Sequence, residues 1–268
     1  MSENGTRLFD GNLSDVVRVG DTVRRVPGPW SPAVHALLRH LEAVGFDGAP
    51  RCLGIDERGR EVLSFVEGET PRPDVPDWSE ALLAGVGRLL RRYHDAAAGF
   101  VPPPDAAWQV GVGAPTAGGV VCHNDAGPWN VVVRDGVPVA LIDWDLAAPA
   151  PRAWDVAYAL WRWVPLYQSG ALGSLTRDFG TPADQGRRAR VLCDAYGLTR
   201  AARAGLVELV ERRIRVSHDT LAARAAAGDP AWARMWRDGH GAENAENVSY
   251  LVRHRAEIER QLLRRVVS

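Results

Sequence analysis

The chain has 268 residues, of which 46% are hydrophobic and 24% charged, and a formal net charge of −1. That balance gives no global attraction to nucleic acid or to an anionic membrane, while length and apolar content are those of a globular protein with a sizeable core. The three cysteines, Cys52, Cys122 and Cys193, are far apart and odd in number, which argues against a disulfide framework or zinc cluster and fits a reducing cytoplasm. The first ten residues are polar, unlike a signal peptide, and no apolar run approaches membrane-spanning length. There is no lysine, so all 32 Lys-plus-Arg positions are arginine. A GC-rich genome accounts for the bias, and any task usually given to Lys falls to Arg or goes undone.

Residues 8–27 read as short strands separated by turns: Leu8-Phe9, then Val16–Val19, then 22–26. A turn of Gly11, Asn12 and Ser14 between the first two can present backbone N–H groups to phosphates, although most such turns are merely turns. In the third strand, alternation puts Val23 and Arg25 on one face and Arg24 on the other. Ser31-Pro32 opens a helix, with Ser as N-cap and Pro at the first helical position. Its apolar residues Val34, Leu37, Leu38 and Leu41 share the inner face, and Gly45 ends it. Segments 51–55 and 61–66 read as two more strands around the turn 56–59. Pro71, Pro73 and Pro76 then make a stiff connector. An amphipathic helix over 80–97 stops at Gly99, and the Pro- and Gly-rich segment 101–119 is a loop.

The stretch 120–145, VVCHNDAGPWNVVVRDGVPVALIDWD, carries the chemistry. Its apolar runs 131–133 and 137–142 are joined by Asp135-Gly136, a strong hairpin signal. His123, Asp125 and Asn130 therefore lie on the loop entering the hairpin and Asp143 at its exit, so that Asp125, Asn130 and Asp143 can converge. Two carboxylates and an amide oxygen are hard ligands suited to Mg²⁺ bound with phosphate oxygens. Beyond Asp155 the chain reads as helices over 155–163, 183–195, 199–227, Pro230–Arg237 and 243–263. Acids such as Asp178, Asp184, Glu208, Glu211, Asp219, Glu243 and Glu246 either line an acceptor pocket or, the favoured reading, form solvated faces paired with Arg at helical spacing.

The pattern His123-Asn124-Asp125 with Asn130, then Ile142-Asp143-Trp144, then Asp155-Val156-Ala157 resembles the aminoglycoside phosphotransferase and choline kinase-like family of small-molecule kinases. It departs from that family at Asn124, where Gly is usual, and before Asp155, where Pro149-Ala150-Pro151 replaces a Gly. The resemblance implies a protein-kinase-like α+β fold of two lobes: a small β-rich lobe over 1–68 that binds nucleotide, and a large, mainly helical lobe over 69–268 that binds substrate. It implies a Mg²⁺-dependent transfer of the γ-phosphate of ATP or GTP to a hydroxyl, a role in antibiotic resistance, and no nucleic-acid or membrane partner.

The family pattern also assigns roles. Asp125 becomes the catalytic base and His123 the organiser of its loop; Asn130 and Asp143 become the metal ligands, with Asp145 either an extra contact or merely exposed. Gly11, Asn12 and Ser14 cover the phosphates, Arg25 (or Arg24) replaces the strand Lys, and Phe65 and Val66 form the adenine hinge. Asp155 fixes the catalytic loop. The family's helix Glu has no counterpart, since His35 stands nearest its place. Acceptors left open are a cationic molecule such as an aminoglycoside or choline, a homoserine-like amino alcohol, a nucleoside and a sugar. A different class, a pseudo-kinase acting as a nucleotide- or ligand-binding immunity or regulatory protein, is favoured by the weak glycine turn and the absent Lys and Glu.

Overall fold

The computed structural model describes residues 6–9, 16–71, 78–167 and 180–264. Strands β1 (Thr6–Phe9), β2 (Val16–Val19), β3 (Thr22–Arg25), β4 (Cys52–Ile55) and β5 (Glu61–Ser64) form an antiparallel sheet in the order β1-β2-β3-β5-β4. The turn of Gly11, Asn12 and Ser14 lies outside the described residues. Helix α1 (Ser31–Ala43) links β3 to β4, and its inner face of Val34, Leu37, Leu38 and Leu41 is buried as the periodicity predicts. Ser31 is not the N-cap, however: Trp30 holds that position, and the Ser31 hydroxyl accepts the Gly28 N–H at 3.0 Å, tying the preceding turn instead.

The connector after β5 is pinned to the second half of the molecule. Glu69 exchanges both backbone hydrogen bonds with Val133, at 2.9 and 2.7 Å. Gly68 sits at φ +136°, and a Cβ there would stand 2.6 Å from Val132 and 2.7 Å from the Val133 carbonyl. Only glycine lets the connector lie so close.

The rest is helical around two small ribbons. Helix α2 (Glu80–Ala96) precedes β6 (Val120–Cys122); β7 (Val131–Arg134) and β8 (Val137–Leu141) make the expected hairpin, whose turn has Asp135 at φ +50° and Gly136 at +75°. Strand β9 (Ala148–Ala150) pairs antiparallel with β6 and was not legible, because Pro149 and Pro151 read as breakers. A two-stranded ribbon is all edge, and an edge tolerates the missing N–H. Then come α3 (Arg152–Trp163), α4 (Pro182–Tyr196), α5 (Arg200–Arg203), α6 (Leu206–Ala226), α7 (Pro230–Arg237) and α8 (His240–Leu262). The single helix expected over 199–227 is two, because Gly205 takes φ +76° between them. α2 packs on α4, and α4 on α8. At the first crossing a Cβ on Gly87 would meet the Leu192 carbonyl at 2.5 Å. The core of this region buries Trp144, Trp161, Trp163 and Tyr93 beside Leu83, Leu89 and Leu90. Among the described residues no helix is long and apolar enough to cross a membrane.

Candidate active site

The loop between β6 and β7 is held from below by one buried carboxylate. Asp155, on the first turn of α3, accepts the backbone N–H groups of His123 and Asn124, each at 2.7 Å, and pairs with His94 Nε2 at 3.0 Å. His94 in turn meets the Tyr196 hydroxyl at 2.7 Å. Burial alone would raise the Asp155 pKa, but these bonds outweigh it and hold the carboxyl below the usual range. Asn124 adopts φ +65°, which explains how it stands where the related pattern has Gly: Asn is among the few side chains tolerated there. Its side-chain amide donates to the Leu146 carbonyl at 2.9 Å. Replacing the clamp by Asp155→Asn turns an N–H₂ toward backbone donors. Folding stability should drop by roughly 2 kcal/mol, seen as a lower urea midpoint at unchanged slope.

His123 is fully buried and spans the hairpin's two ends. Its Nδ1 accepts the Asp125 N–H at 3.2 Å, so Nε2 carries the proton and donates to the Ile142 carbonyl at 3.0 Å. Burial lowers its pKa, which keeps the ring neutral in this role. The ring also packs edge-on against Trp144 at 4.6 Å.

Asp125 is surrounded by donors. One carboxylate oxygen accepts the Tyr158 hydroxyl; the other accepts Asn130 Nδ2 at 2.8 Å and Trp129 Nε1 at 3.4 Å. Burial and the neighbouring Asp143 charge, opposed by the Tyr158 bond, push its pKa up to about 6. Tyr158 was missed in the sequence, although it lies three residues after Asp155 on one helix face. With the Asn130 N–H₂ committed to Asp125, its amide oxygen accepts nothing among the described residues. Asp143 stands at the hairpin exit at φ +59° with its carboxylate about half exposed. The unbonded Asn130 amide oxygen and the exposed part of the Asp143 carboxylate, at the ends of one hairpin, fit a hard divalent cation in donor type.

The sheet adds a cluster that only long-range register creates. Arg25 is buried on β3, and its guanidinium bonds Glu61, Asp143 (3.0 Å) and Asp145. Burial works against this charge, but the Asp145, Asp143 and Glu61 carboxylates outweigh it and raise its pKa above the ordinary value. Glu61, directly opposite Arg25 across β3 and β5, also bonds His35 of α1 at 2.6 Å. The carboxylate facing the strand cation thus comes from the neighbouring strand, while the helix supplies a His. The sequence signal was Glu61 alternating with Leu63, an acid on the inner face of its strand. Arg24 points away, 3.6 Å from Asp56. Phe65 gives its N–H to Asp21 at 2.8 Å and its ring to Arg18 at 3.6 Å. Val66 keeps both backbone groups open among the described residues; neither residue bonds the Arg25 cluster.

Asp125 and Asp143 line a cavity of about 330 Å³, walled further by Trp129, Trp154, Tyr158 and Trp232 and by arginines of α3 and α6. None of the described acids considered as pocket candidates lines it. Glu211 instead pairs with Arg215 and Arg255, and Asp184 with Arg187. Asp178 lies outside the described residues.

A small antiparallel sheet joined through a pinned connector to a helical body, with the hairpin and its loop facing that sheet, is a protein-kinase-like architecture. The model of the phosphotransferase enzyme family matches residues 105–193. The trifolitoxin immunity protein of Rhizobium leguminosarum bv. trifolii is 39% identical over 273 residues, covering 95% of this chain and 97% of that protein. The chain belongs to this phosphotransferase family. Among solved structures, a choline/ethanolamine kinase family protein from Mesorhizobium loti aligns with TM-score 0.62 at 18% identity, covering 95% of this chain and 92% of that one. An amicoumacin kinase solved with AMP-PNP and Ca²⁺ gives 0.63 at 15%, covering 97% and 89%. Spectinomycin phosphotransferase with ADP and spectinomycin gives 0.59 at 13%, covering 95% and 92%. These likenesses establish the fold.

Proposed function

We propose that the protein transfers the γ-phosphoryl group of ATP or GTP to a hydroxyl of a small molecule. The observation that carries the reading is Asp125, held by Tyr158, Asn130 and Trp129 at the wall of a cavity it shares with Asp143. The acceptor hydroxyl gives its proton to Asp125 as its oxygen bonds the γ-phosphorus, and the bond to the β-phosphate oxygen breaks to leave the nucleoside diphosphate. Asn130 and Asp143 would hold Mg²⁺, which neutralises charge on the phosphates. Arg25 would turn part of its fork to the α- and β-phosphates, and the open backbone groups of Val66 would meet the base edge. In this reading the lobes divide at Gly68, with nucleotide held by 1–68 and acceptor by 69–268. The test is a panel of hydroxylated antibiotics and metabolites incubated with γ-labelled ATP and Mg²⁺; a labelled organic product supports the reading.

Two further results are expected. Because few protein groups hold the metal, Asp143→Asn should weaken Mg·nucleotide binding by about ten-fold or more while leaving metal-free nucleotide binding little changed. Isothermal titration with and without Mg²⁺ measures both, and an unchanged metal effect removes Asp143 from this role. The second concerns pH. Asp125 accepts a proton only when ionised, and its pKa lies near 6, so kcat/KM should fall as pH drops through about 6. A profile flat down to the ordinary carboxylate range near 4 would show that no base with a raised pKa limits the reaction.

A second reading, a ligand-binding immunity protein that transfers no phosphate, has its own support. The 39% relative bears the name of an immunity protein, and all three nitrogens of the Arg25 guanidinium already face carboxylates. It forecasts that no acceptor in the panel is labelled and that nucleotide leaves the protein unchanged.

A further inference from the structure

The cavity beside Asp125 has the wrong charge for a polycation. Its lining contains Arg162, Arg213 and Arg224, and among the described residues its only carboxylates are Asp125 and Asp143. Asp143 is already bonded by Arg25. At the rim, Arg224 has Asp229 at 3.9 Å and His240 has Glu243 at 3.5 Å. The two inner arginines have no such partner among the described residues.

Arg213, only 7% exposed, donates to the Asn124 carbonyl at 2.7 Å and the Ser217 hydroxyl at 2.9 Å, both neutral acceptors. Its Nε is buried without a hydrogen-bond partner. The Arg162 guanidinium lies over Trp161, 3.4 Å from the ring centroid, with Trp129 and Tyr158 at 5.4 and 5.6 Å. Among the described residues its guanidinium makes no hydrogen bond or ion pair, and its Nε too is buried without a partner. A guanidinium removed from water costs free energy unless an anion or several acceptors meet it. Aromatic faces compensate only in part, at roughly 0.5–2 kcal/mol. Asp125 acts on both charges from a distance, but it is a single carboxylate whose oxygens are taken by Tyr158, Asn130 and Trp129, so two cations without an ion pair among the described residues describe half of an anion site.

We propose that the acceptor is an anionic molecule, carrying a carboxylate or phosphate that docks on Arg162 and Arg213, with a flat or apolar body against Trp129, Trp154 and Trp232. The spacing follows from α3: Arg162 lies one helical turn beyond Tyr158, whose hydroxyl is on Asp125. The Arg162 guanidinium carbon lies 5.6 Å from the centre of the Tyr158 ring, so the acceptor hydroxyl at Asp125 and the anion occupy neighbouring places on one cavity wall. This rests on the phosphotransferase reading for where the hydroxyl sits, but the anion site itself does not require catalysis.

The experiment uses equilibrium binding to the full chain, so it decides this inference whether or not phosphate is transferred. Four probes share one skeleton: 3-(hydroxymethyl)benzoate, its primary amide, 3-(hydroxymethyl)benzylamine, and 3-(hydroxymethyl)phenyl phosphate. Calorimetric titration should rank one or both anions at least about ten-fold tighter than the amide, as a charge-assisted bond to a buried Arg implies, with the amine weakest. Which anion is tighter tells carboxylate from phosphate. Arg162→Gln should bring the anions to within about three-fold of the amide, and Arg162→Lys should restore part of the preference. Equal binding of all four, tighter binding of the amine, or no binding of any overturns the proposal, and the wild-type series alone suffices if a variant does not fold. It is equally overturned if Arg162→Gln leaves the charge preference intact while slowing phosphate release to water, since Arg162 would then serve the phosphoryl group. Anion-selective binding without any labelled product would instead sink the kinase reading and leave this one standing.

Discussion

Asp125→Asn should lower kcat by about 10²–10⁴-fold while nucleotide affinity stays near that of the wild type. Among the described residues the Asp125 carboxylate bonds Tyr158 of α3 and, within its own loop, Asn130 and Trp129, at the wall of the cavity. A group that takes a proton from the acceptor acts in the transition state and contributes little to ground-state binding of the other substrate. A loose, dissociative transition state asks less of a base, which would place the loss at the lower end of the range. The limb of the pH profile near 6 should vanish in the same variant. Steady-state kinetics and a binding titration on both proteins check the pair of expectations. A variant that loses nucleotide affinity and turnover in equal measure would show that Asp125 shapes the nucleotide site instead.

Arg25→Ala should have the next largest effect, and on two observables. Arg25 is the cation shared by Glu61, Asp143 and Asp145, with Glu61 buried beside His35. Removing one partner from a buried charge cluster typically costs about 3–5 kcal/mol, because the others stay behind uncompensated. The urea midpoint should therefore drop markedly. In the phosphotransferase reading a guanidinium on the phosphates is also lost, so the nucleotide KM should rise by at least about ten-fold. Arg24→Ala is the control, since Arg24 faces Asp56 on the other side of the strand; its effect should stay within about 1 kcal/mol. If Arg25→Ala leaves nucleotide binding unaltered, Arg25 only neutralises the acids around it and the ligand-binding reading gains ground.

What could be read in the sequence was whatever depends on neighbours in the chain. Asp135-Gly136 dictates a two-residue turn, and that turn brings the ends of the hairpin together, so the convergence of Asp125, Asn130 and Asp143 follows from local rules. Alternation along β3 likewise separates Arg25, which faces the Asp143 cluster, from Arg24, which faces Asp56. What escaped was set by register and packing between distant segments. Glu61 becomes the partner of Arg25 only through the β3–β5 pairing, 36 residues along the chain. The break at Gly205 needs a positive φ that a helical pattern rich in Ala and Arg conceals. The basic cavity wall joins Arg162 of α3 to Arg213 of α6, elements whose packing no periodicity announces. Of the acids at helical spacing, Asp184 and Glu211 pair with arginines, as the favoured reading of solvated faces expects.

In the phosphotransferase reading the γ-phosphoryl group leaves the nucleotide at Asp125. That reading is tested most directly by single-turnover kinetics, with protein in excess over γ-labelled ATP, saturating Mg²⁺ and the mixed acceptor panel, comparing wild type with Asp125→Asn. Wild type should move the label from ATP to an organic product, and the variant, binding ATP equally well, should do so at least about 100-fold more slowly. Label that stays in ATP on fully bound wild-type protein, or that leaves at the same rate in both proteins, would contradict it.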